Sequence, residues 1–328
     1  MNNKKIVAQG FDIIGDIHGY VDALKRLLST LGYQEINGVW GHPKRKAIFV
    51  GDLVDRGTKQ KELCELVRKM VDAGQAELSI GNHEFNAVGY ATAKGDGTYL
   101  RKHSSTNTKH HQAFLDCYPF HSAEHLEMIE WFKNRPLWLE LETLSGQPAR
   151  VIHAYWHNEK LELLKKYLHH NGQAWVMGTD FDQRFYHSDE EAFDLIELLL
   201  KGPEVDLPQG ASYFDSGQKE RKRSRVNWWT KGKTWRESCI LGGFKVNGLD
   251  LDEPFNALPC KIYDDEIPIF FGHYWMNGEL AVQTSKVACL DWSIAKKGRL
   301  VAYRWDGEQD LSVNKMVAVQ WSVELDEH

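Results

Sequence analysis

Five short apolar stretches of the chain each end in a cluster of polar residues. They are FDIIGDIHG, KAIFVGDLVDRG, AELSIGNHEF, ARVIHAYWH and IPIFFGHYW. Short apolar runs bounded by glycine and polar residues are typical of buried strands. Each stretch therefore predicts a strand that carries polar side chains at its carboxyl end.

Two helices are predicted between the first three strands. The segments VDALKRLLSTLGY and KELCELVRKMVDAG repeat leucine, valine and methionine at helical spacing, and Gly32 and Gly74 stand where each helix would end. Strands that alternate with helices indicate an α/β unit, in which ligands gather at the carboxyl ends of the strands.

Two segments interrupt this alternation. Residues 90–140 are predicted to be a helical insertion, with a helix over SAEHLEMIEWFKNRP that ends at Pro136, and residues 176–262 are predicted to be an irregular insertion rich in basic and aromatic residues. The last strands, KVACLDWSI, GRLVAYRWD and KMVAVQW, alternate as in an antiparallel meander. Because no internal repeat is present, residues 1–328 are predicted to form a single catalytic domain with two insertions.

Composition excludes several classes of protein. The net charge of −6 speaks against a general nucleic-acid binder, which usually presents a basic face to the phosphates. The five cysteines are scattered and never form a C-x-x-C pair, which argues against a disulfide framework and a thiolate zinc site. No segment has the pattern of a signal peptide or of a membrane span, so we expect a cytoplasmic protein that acts without a membrane.

The polar residues at the strand ends form a chemically consistent set. Carboxylates, an amide oxygen and imidazoles without thiolates suit manganese, iron, zinc or magnesium. Two such ions about 3.5–4 Å apart can polarise a phosphoryl group and activate a water molecule. The set consists of Asp16, His18, Asp52, Asp55, Arg56, Asn82, His83, His153 and His273.

The blocks GDIHG, GDLVDRG and GNHE, followed by a later strand-end histidine and by GH, resemble the phosphoprotein-phosphatase-like group of calcineurin-type metallophosphoesterases. The blocks run in the family's order from about residue 12 to 275. The resemblance implies an α/β (α+β) fold: a four-layer sandwich of two mixed β-sheets flanked by helices, with a dinuclear metal site at one edge. It also implies hydrolysis of phosphate esters or phosphoanhydrides through in-line attack by a hydroxide held between two divalent ions.

The resemblance also implies a role for each motif residue. Manganese is expected first, and iron, zinc or magnesium would also fit. The implied ligands are Asp16 and His18 for the first ion, Asp52 as the bridge, and Asn82, His153 and His273 for the second ion.

Three further motif residues are expected to act on the substrate. Arg56 would clamp the phosphate, since a guanidinium binds two oxygens at once. His83 would protonate the leaving oxygen, and Asp55 would orient its imidazole. Asp291 of ACLDWS would lie close to the metals, as an acid does in related bacterial phosphoesterases.

Aromatic residues next to the last two ligands depart from the family, where small residues are usual. Tyr155, Trp156 and Tyr274 are candidate substrate-binding residues, together with Trp275. One interpretation is a platform on which a base stacks, worth about 1–3 kcal/mol for each base. The other is that the rings pack into the core.

The basic run from Lys219 to Arg236 contains eight basic residues and three tryptophans. Arg225 or Arg236 would supply a second substrate arginine, or else the run is a solvated basic loop anchored by its tryptophans. The remaining histidines stand in polar or helical surroundings and are predicted to lie on the surface. These are His103, His110, His111, His169 and His170.

The favoured function is that of a metal-dependent phosphoesterase acting on a dinucleoside polyphosphate or another nucleotide-like substrate. Ile80 stands before GNHE where Ser/Thr protein phosphatases carry an arginine, and their C-terminal loop is not visible. A Ser/Thr protein phosphatase with a protein substrate is the alternative. An inactive fold used as a binding scaffold is a third hypothesis, which would predict eroded ligands.

Overall fold

The computed structural model describes residues 5–179, 181, 190–215, 218–241 and 244–323. The helices are α1 (Val21–Leu31), α2 (Gln60–Asp72), α3 (Asn82–Ala91), α4 (Ser105–Cys117), α5 (Ala123–Lys133), α6 (Asn158–Leu164), α7 (Glu190–Lys201) and α8 (Trp235–Ser238). Two 3-10 turns cover Ile294–Lys296 and Val313–Lys315.

The strands are short and numerous. They are β1 (Ile6–Ala8), β2 (Gly10–Ile14), β3 (Gln34–Ile36), β4 (Val39–Gly41), β5 (Arg45–Phe49), β6 (Ala76–Leu78), β7 (Trp138–Thr143), β8 (Pro148–Ile152), β9 (His169–His170), β10 (Trp175–Val176), β11 (Glu204–Asp206), β12 (Ser212–Phe214), β13 (Glu220–Arg221), β14 (Arg223–Val226), β15 (Cys239–Ile240), β16 (Val246–Asn247), β17 (Ile269–Phe271), β18 (Val287–Cys289), β19 (Asp291–Trp292), β20 (Arg299–Trp305) and β21 (Met316–Gln320).

Two large mixed sheets form the centre of the fold. The first has the order β1-β7-β8-β17-β18, and the second has the order β19-β20-β2-β5-β6 with β21 paired to β20. Each contains both parallel and antiparallel pairs, for example β2 parallel to β5 and antiparallel to β20. The predicted pair of mixed sheets is confirmed.

Residues that alternate along the strands build a core on each side of a sheet. Ile48 and Val50 pack between the two sheets, in the same cluster as Phe270 of β17. Ala47 and Phe49 point the other way, into the cluster that the helices cover. Successive side chains of a strand point to opposite faces of the sheet, so a strand buried on both faces has apolar residues at successive positions. The sandwich flanked by helices is thereby confirmed.

The helices α1 and α2 form where periodicity predicted them. Leu24, Leu28 and Leu31 of α1 are buried. Gly32 ends α1 with φ +89°, in the left-handed region that glycine adopts without strain. The segment 90–140 contains the helices α4 and α5.

The prediction for residues 176–262 is wrong in part. This stretch contains two small sheets with the orders β11-β14-β15 and β13-β12-β16. They enclose their own apolar cluster, which includes Leu207, Val226, Trp235 and Phe255. Strands of two to four residues are too short to display an alternation that sequence inspection can recognise.

The predicted C-terminal meander also requires a correction. The strands β20 and β21 are antiparallel, as expected. However, β18 belongs to the first sheet, where it runs parallel to β17, and the chain crosses at Leu290 to form β19 in the second sheet. The strands β18 and β19 are each buried on both faces, so their apolar patterns fit either sheet. Contacts with residues far apart in the chain decide which sheet each strand joins.

Among the described helices, none is long and apolar enough to traverse a lipid bilayer.

A buried carboxylate joins three adjacent strands of the second sheet. Asp12 on β2 is fully buried and accepts hydrogen bonds from Nε of Arg45 on β5, at 3.0 and 3.1 Å, and from Nε of Arg304 on β20, at 3.1 Å. Arg45 also pairs with Asp306, whose side chain is 46% exposed.

We expect Asp12→Asn to lower the free energy of unfolding by about 3 kcal/mol, because it removes the charge of the fully buried carboxylate that pairs with both Arg45 and Arg304. Asp306→Asn removes an exposed partner of the same arginine and should cost less than about 1 kcal/mol. Urea unfolding of both variants measures the difference. Equal losses would contradict the assignment of Asp12 as the structural anion.

Candidate metal centre

Parallel strands bring the predicted ligands to one edge of each sheet. In the second sheet β2, β5 and β6 run parallel, and the chain leaves them toward Asp16, Asp52 and Asn82. In the first sheet β8 and β17 run parallel and are followed by His153 and His273. Because the carboxyl ends of parallel strands meet at one edge, each sheet contributes one half of the site.

The Asp52 carboxylate lies between two groups of histidines. Its Oδ1 is 3.3 Å from Nε2 of His153, and its Oδ2 is 3.7 Å from Nε2 of His18 and 3.8 Å from Nε2 of His83. Possible ligand atoms of Asp52, His153 and His273 all lie within 4.8 Å of one another, as do those of His18, Asp52 and His83. Asp52 therefore belongs to both groups, which is the position that a bridging ligand requires.

Two of the histidines have their tautomer set by the backbone. Nδ1 of His18 donates to the carbonyl oxygen of Val54 at 3.0 Å, and Nδ1 of His153 donates to that of Val50 at 2.9 Å. Each ring is then left with Nε2 directed into the site, and for His153 this atom is 3.2 Å from Oδ1 of Asn82. An outer hydrogen bond of this kind is usual for a histidine that ligates a metal.

Buried polar atoms without partners indicate that a cation fits between these residues. Among the described residues, Oδ1 of Asp16 and both ring nitrogens of His273 are buried and have no hydrogen-bond partner. Buried polar groups are rarely left unpaired in proteins. The other carboxylate oxygen of Asp16 accepts from the backbone N–H of His273 at 3.0 Å, which joins the two halves of the site.

Two glycines allow backbone to approach the carboxylates closely. A Cβ atom at Gly81 would lie 2.2 Å from Oδ1 of Asp52, and one at Gly272 would lie 2.0 Å from Oδ1 of Asp16. Contacts that short do not occur. Glycine before Asn82 and before His273 is therefore a requirement of the site.

Glu84 organises the loop that carries Asp52. It is fully buried and accepts from the backbone N–H groups of Asp52 at 2.9 Å, Leu53 at 2.8 Å and Gly81 at 2.8 Å. Its carboxylate thus fixes the turn after β5 against the start of α3. Sequence reasoning missed this role, although a glutamate three residues after the residue that precedes a helix is a recognised signal for such a contact.

Asp55 is held between two imidazoles. Nδ1 of His83 lies 2.5 Å from its Oδ2, and Nδ1 of His111 lies 3.0 Å from its Oδ1. The backbone N–H of Asp55 donates to Oε1 of Gln60 at 2.9 Å. The carboxylate therefore cannot rotate without breaking one of these contacts.

Strained backbone is concentrated in the same loops. Eleven described residues other than glycine have positive φ, and eight of them belong to the segments that build the site. Such conformations cost about 1–3 kcal/mol each and persist where the surrounding structure enforces them. The eight are His18, Asp52, Asp55, Arg56, His273, Trp275, Ser293 and Lys297.

Comparison with known families agrees with this geometry. The model of the calcineurin-like phosphoesterase family matches residues 11–207, more than half of the chain. The chain belongs to the calcineurin-like phosphoesterase family.

Curated relatives of this phosphoesterase are similar over part of their length. Bis(5'-nucleosyl)-tetraphosphatase PrpE [asymmetrical] of Oceanobacillus iheyensis is 34% identical over 148 residues, which cover 43% of this chain and 58% of the relative. The protein of the same name from Halalkalibacterium halodurans is 46% identical over 74 residues, 22% of this chain and 30% of the relative. The chain thus spans less than two thirds of the curated relatives it matches.

The overall fold also has counterparts among solved structures. The cold-active protein-tyrosine phosphatase of a Shewanella species matches with a TM-score of 0.50 and 15% identity, covering 98% of this chain and 83% of that one. At this identity the match concerns the fold alone.

The electrostatics of the phosphoesterase site follow from burial and crowding. Burial, with the negative charges of Asp291 and Asp52, raises the pKa of Asp16 well above its ordinary value. Burial also disfavours the charged form of Asp52, but the nearby His153 and His83 hold the pKa of Asp52 well below its ordinary value. Because like charges crowd around Asp16, a bound cation would relieve a repulsion that the protein leaves unbalanced.

The histidines of the centre differ in their charge. Burial and the proximity of His83 lower the pKa of His18 to about 4, and burial together with Arg225 lowers the pKa of His273 well below its ordinary value. Both imidazoles are then neutral near pH 7, as metal ligation requires. Burial opposes charging of His83 as well, but Asp52 and the hydrogen bond to Asp55 raise its pKa.

The candidate arginines occupy different places. Arg56 is exposed beside the centre, and Nη1 of Arg225 lies 3.5 Å from the carbonyl oxygen of His273. Arg236 instead binds Asp252 at 2.8 Å on the exposed surface of α8. The structure therefore brings Arg225 to the site and does not bring Arg236 there, because α8 packs into the separate cluster of the small sheets.

The expected aromatic platform is largely absent from the entrance. Tyr155, Trp156 and Tyr274 are all buried. Tyr155 packs against Trp228, Trp156 against Arg150, and Tyr274 against Trp229. The substrate-binding prediction for these three rings is not supported, because tryptophans of the basic run cover Tyr155 and Tyr274, and Arg150 covers Trp156. Among these aromatic residues, Trp275 stays exposed, at 41%.

Asp291 lies close enough to Asp16 for its charge to raise the pKa of that carboxyl. It is buried and accepts backbone N–H groups from Trp275 and Ser293, both at 3.0 Å. Burial and the charge of Asp52 raise its pKa, despite those two hydrogen bonds. Both of its oxygens are used to fix loops, which makes it a support for the site.

The surface prediction for His111 is wrong. His111 is 3% exposed and contacts Asp55, whereas His103, His110 and His169 are exposed and His170 is half-buried. The sequence contained a signal for this burial, since His111 shares a helix face with the apolar residues Phe114 and Tyr118. Both of those residues are buried in the structure.

We expect Asp52→Asn to lower manganese affinity by about 100-fold or more. Mutation of residues that only hydrogen-bond to metal ligands already lowers metal affinity by about 10- to 100-fold. Asp96→Asn, at an exposed loop remote from these contacts, is the control. Isothermal titration calorimetry with Mn²⁺ measures both variants. Unchanged affinity in Asp52→Asn would exclude it as a ligand.

We expect His111→Phe to lower turnover of an alkyl phosphate about tenfold, because loss of one charge-assisted hydrogen bond frees the carboxylate that orients His83. His111→Asn keeps a donor near the Nδ1 position and should restore most of this activity. Steady-state kinetics should show a smaller loss with p-nitrophenyl phosphate, whose leaving group needs no proton. Equal losses on the two substrates would assign His111 a merely structural role.

Proposed function

We propose that the protein is a metal-dependent phosphoesterase that hydrolyses dinucleoside polyphosphates or related nucleotide-like substrates. The observation that carries the proposal is the position of Asp52, between two groups of imidazoles and beside an oriented His83. Family membership supports the same class of reaction.

The donor set fits two divalent ions. Asp16 and His18 would hold the first, Asn82, His153 and His273 the second, and Asp52 both. Ions bound there would supply Lewis-acid charge against the phosphoryl oxygens and lower the pKa of a water molecule. Oxygen and imidazole donors suit Mn²⁺, which we propose as the working metal.

Arg56 would neutralise the reacting phosphoryl group from the open side. Arg56 has no ion-pair partner within 4.0 Å among the described residues, so its guanidinium is available to bind two phosphoryl oxygens. The backbone at Arg56 has φ +82°, which fixes the direction in which the side chain leaves the loop. Arg225 approaches from the other side, next to His273.

His83 would donate a proton to the leaving oxygen. Nδ1 of His83 is engaged by Asp55, so Nε2 is the atom directed toward the centre, 3.8 Å from Oδ2 of Asp52. Asp55, fixed by His111 and Gln60, keeps the ring in this orientation. A positioned acid of this kind contributes about 10²- to 10⁴-fold to the rate.

The substrate class is supported by the relatives and by the charge around the opening. The curated relatives are named bis(5'-nucleosyl)-tetraphosphatases. Arg56 and Arg225 add positive charge in a protein whose net charge is −6, which favours a multiply charged anion. We also propose that the protein works in the cytoplasm, where its five free thiols would stay reduced.

We expect manganese-loaded protein to cleave diadenosine tetraphosphate with a kcat/KM at least about tenfold above that for a phosphoserine peptide or an aryl phosphate. Chromatography identifies the products: ATP and AMP indicate asymmetrical cleavage, and two ADP indicate symmetrical cleavage. Protein carrying Asp52→Asn, purified in parallel, excludes a contaminating phosphatase.

Other outcomes would select the alternatives. Faster turnover of the phosphopeptide would identify a protein phosphatase. Full metal binding without hydrolysis of any of the three compounds would identify a binding scaffold.

A further inference from the structure

The loop after His273 places one exposed tryptophan beside the metal centre. Trp275 has φ +49°, and its backbone N–H donates to Oδ2 of Asp291 at 3.0 Å. The next residue, Met276, donates to the carbonyl oxygen of Asp291 at 2.8 Å. The backbone that carries the indole is therefore held by Asp291, which also supports the centre.

Two cations lie against this indole. Nζ of Lys296 is 3.9 Å from the ring centroid, and Cζ of Arg225 is 5.2 Å from it. Lys296 comes from the 3-10 turn after β19, whereas Arg225 comes from β14 of the small sheets. Cation–π contact stabilises each of them, so one ring positions two positive groups from distant parts of the chain.

These cations are not neutralised by carboxylates. Among the described residues, neither Lys296 nor Arg225 has an ion-pair partner within 4.0 Å, and Nε of Arg225 is buried without a hydrogen-bond partner. Burial lowers the pKa of Lys296, and the charges of Arg56 and Arg225 lower it further, against the opposite pull of Asp291. Positive charges that repel one another beside a metal centre indicate a site for an anion with several charges.

We infer that Lys296 and Arg225, held apart by Trp275, form a subsite for a second phosphoryl group, next to the one that reacts. The inference rests on the proposed function and extends it. A monoester has one phosphoryl group, and the metals and Arg56 would bind it. A phosphoanhydride chain has further groups, and Lys296 would select for it.

The neighbouring lysine provides a matched control. Lys297 carries the same charge, is also exposed, and lies 4.5 Å from the ring of Trp321 instead of Trp275. Lys296→Gln and Lys297→Gln remove equal charge one residue apart. Lys296→Arg keeps the charge.

The test measures binding of inorganic tripolyphosphate and inorganic orthophosphate to the manganese-loaded proteins by calorimetry. Free Mn²⁺ is held at the same concentration throughout, so that chelation affects all variants equally. We expect Lys296→Gln to bind tripolyphosphate about tenfold more weakly and orthophosphate as the unaltered protein does. Lys297→Gln should bind both normally, and Lys296→Arg should stay within about twofold for tripolyphosphate.

Three results would overturn the inference. The first is unchanged tripolyphosphate affinity in Lys296→Gln, and the second is an equal loss of tripolyphosphate affinity in Lys297→Gln. The third is a loss of orthophosphate affinity in Lys296→Gln as large as its loss of tripolyphosphate affinity. Hydrolysis reports separately on the proposed function. If the protein cleaves aryl phosphate but not diadenosine tetraphosphate while Lys296→Gln still loses tripolyphosphate binding, the proposed substrate is wrong and the subsite stands.

Discussion

Four carboxylates, Asp16, Asp52, Glu84 and Asp291, are buried close together, and the negative charge of Asp52 raises the pKa values of the other three. Burying charge is costly unless each group is paired. Glu84 is satisfied by backbone N–H groups of two loops, Asp291 by those of Trp275 and Ser293, and Asp52 by His83 and His153. Asp16 retains an oxygen without a partner. This remaining imbalance is the reason that the centre suits cations.

The same constraint explains the irregular backbone around the centre. The loops after β5 and β17 have positive φ at Asp52 and His273, and the N–H groups of these two residues donate to the carboxylates of Glu84 and Asp16. Each such residue is unfavourable by itself. The loops leave strands whose last residues, Ile14, Phe49 and Phe271, are fully buried, so the surrounding structure enforces their conformation.

Charge is arranged in layers from the interior to the opening. The carboxylates and imidazoles of the centre are buried, and the cations Arg56, Arg225 and Lys296 lie nearer the surface. Each outer group belongs to a different segment of the chain. The helical insertion adds His111, which reaches Asp55 from α4, and the small sheets add Arg225. Segments outside the motifs therefore complete the site, and their variation offers a means of changing substrate preference on a common centre.

Much of the fold and of the centre could be predicted from the sequence. Strand ends that carry Asp16, Asp52, Asn82, His153 and His273 are recognisable because buried strands and tight turns leave local patterns, and parallel pairing then brings their ends together. Other features were decided by tertiary structure alone. Tyr274 is buried while its neighbour Trp275 is exposed, the chain changes sheets at Leu290, and Arg225 reaches the centre where Arg236 does not. A local pattern determines which face of an element is apolar, but which segment covers that face depends on contacts between residues far apart in the chain.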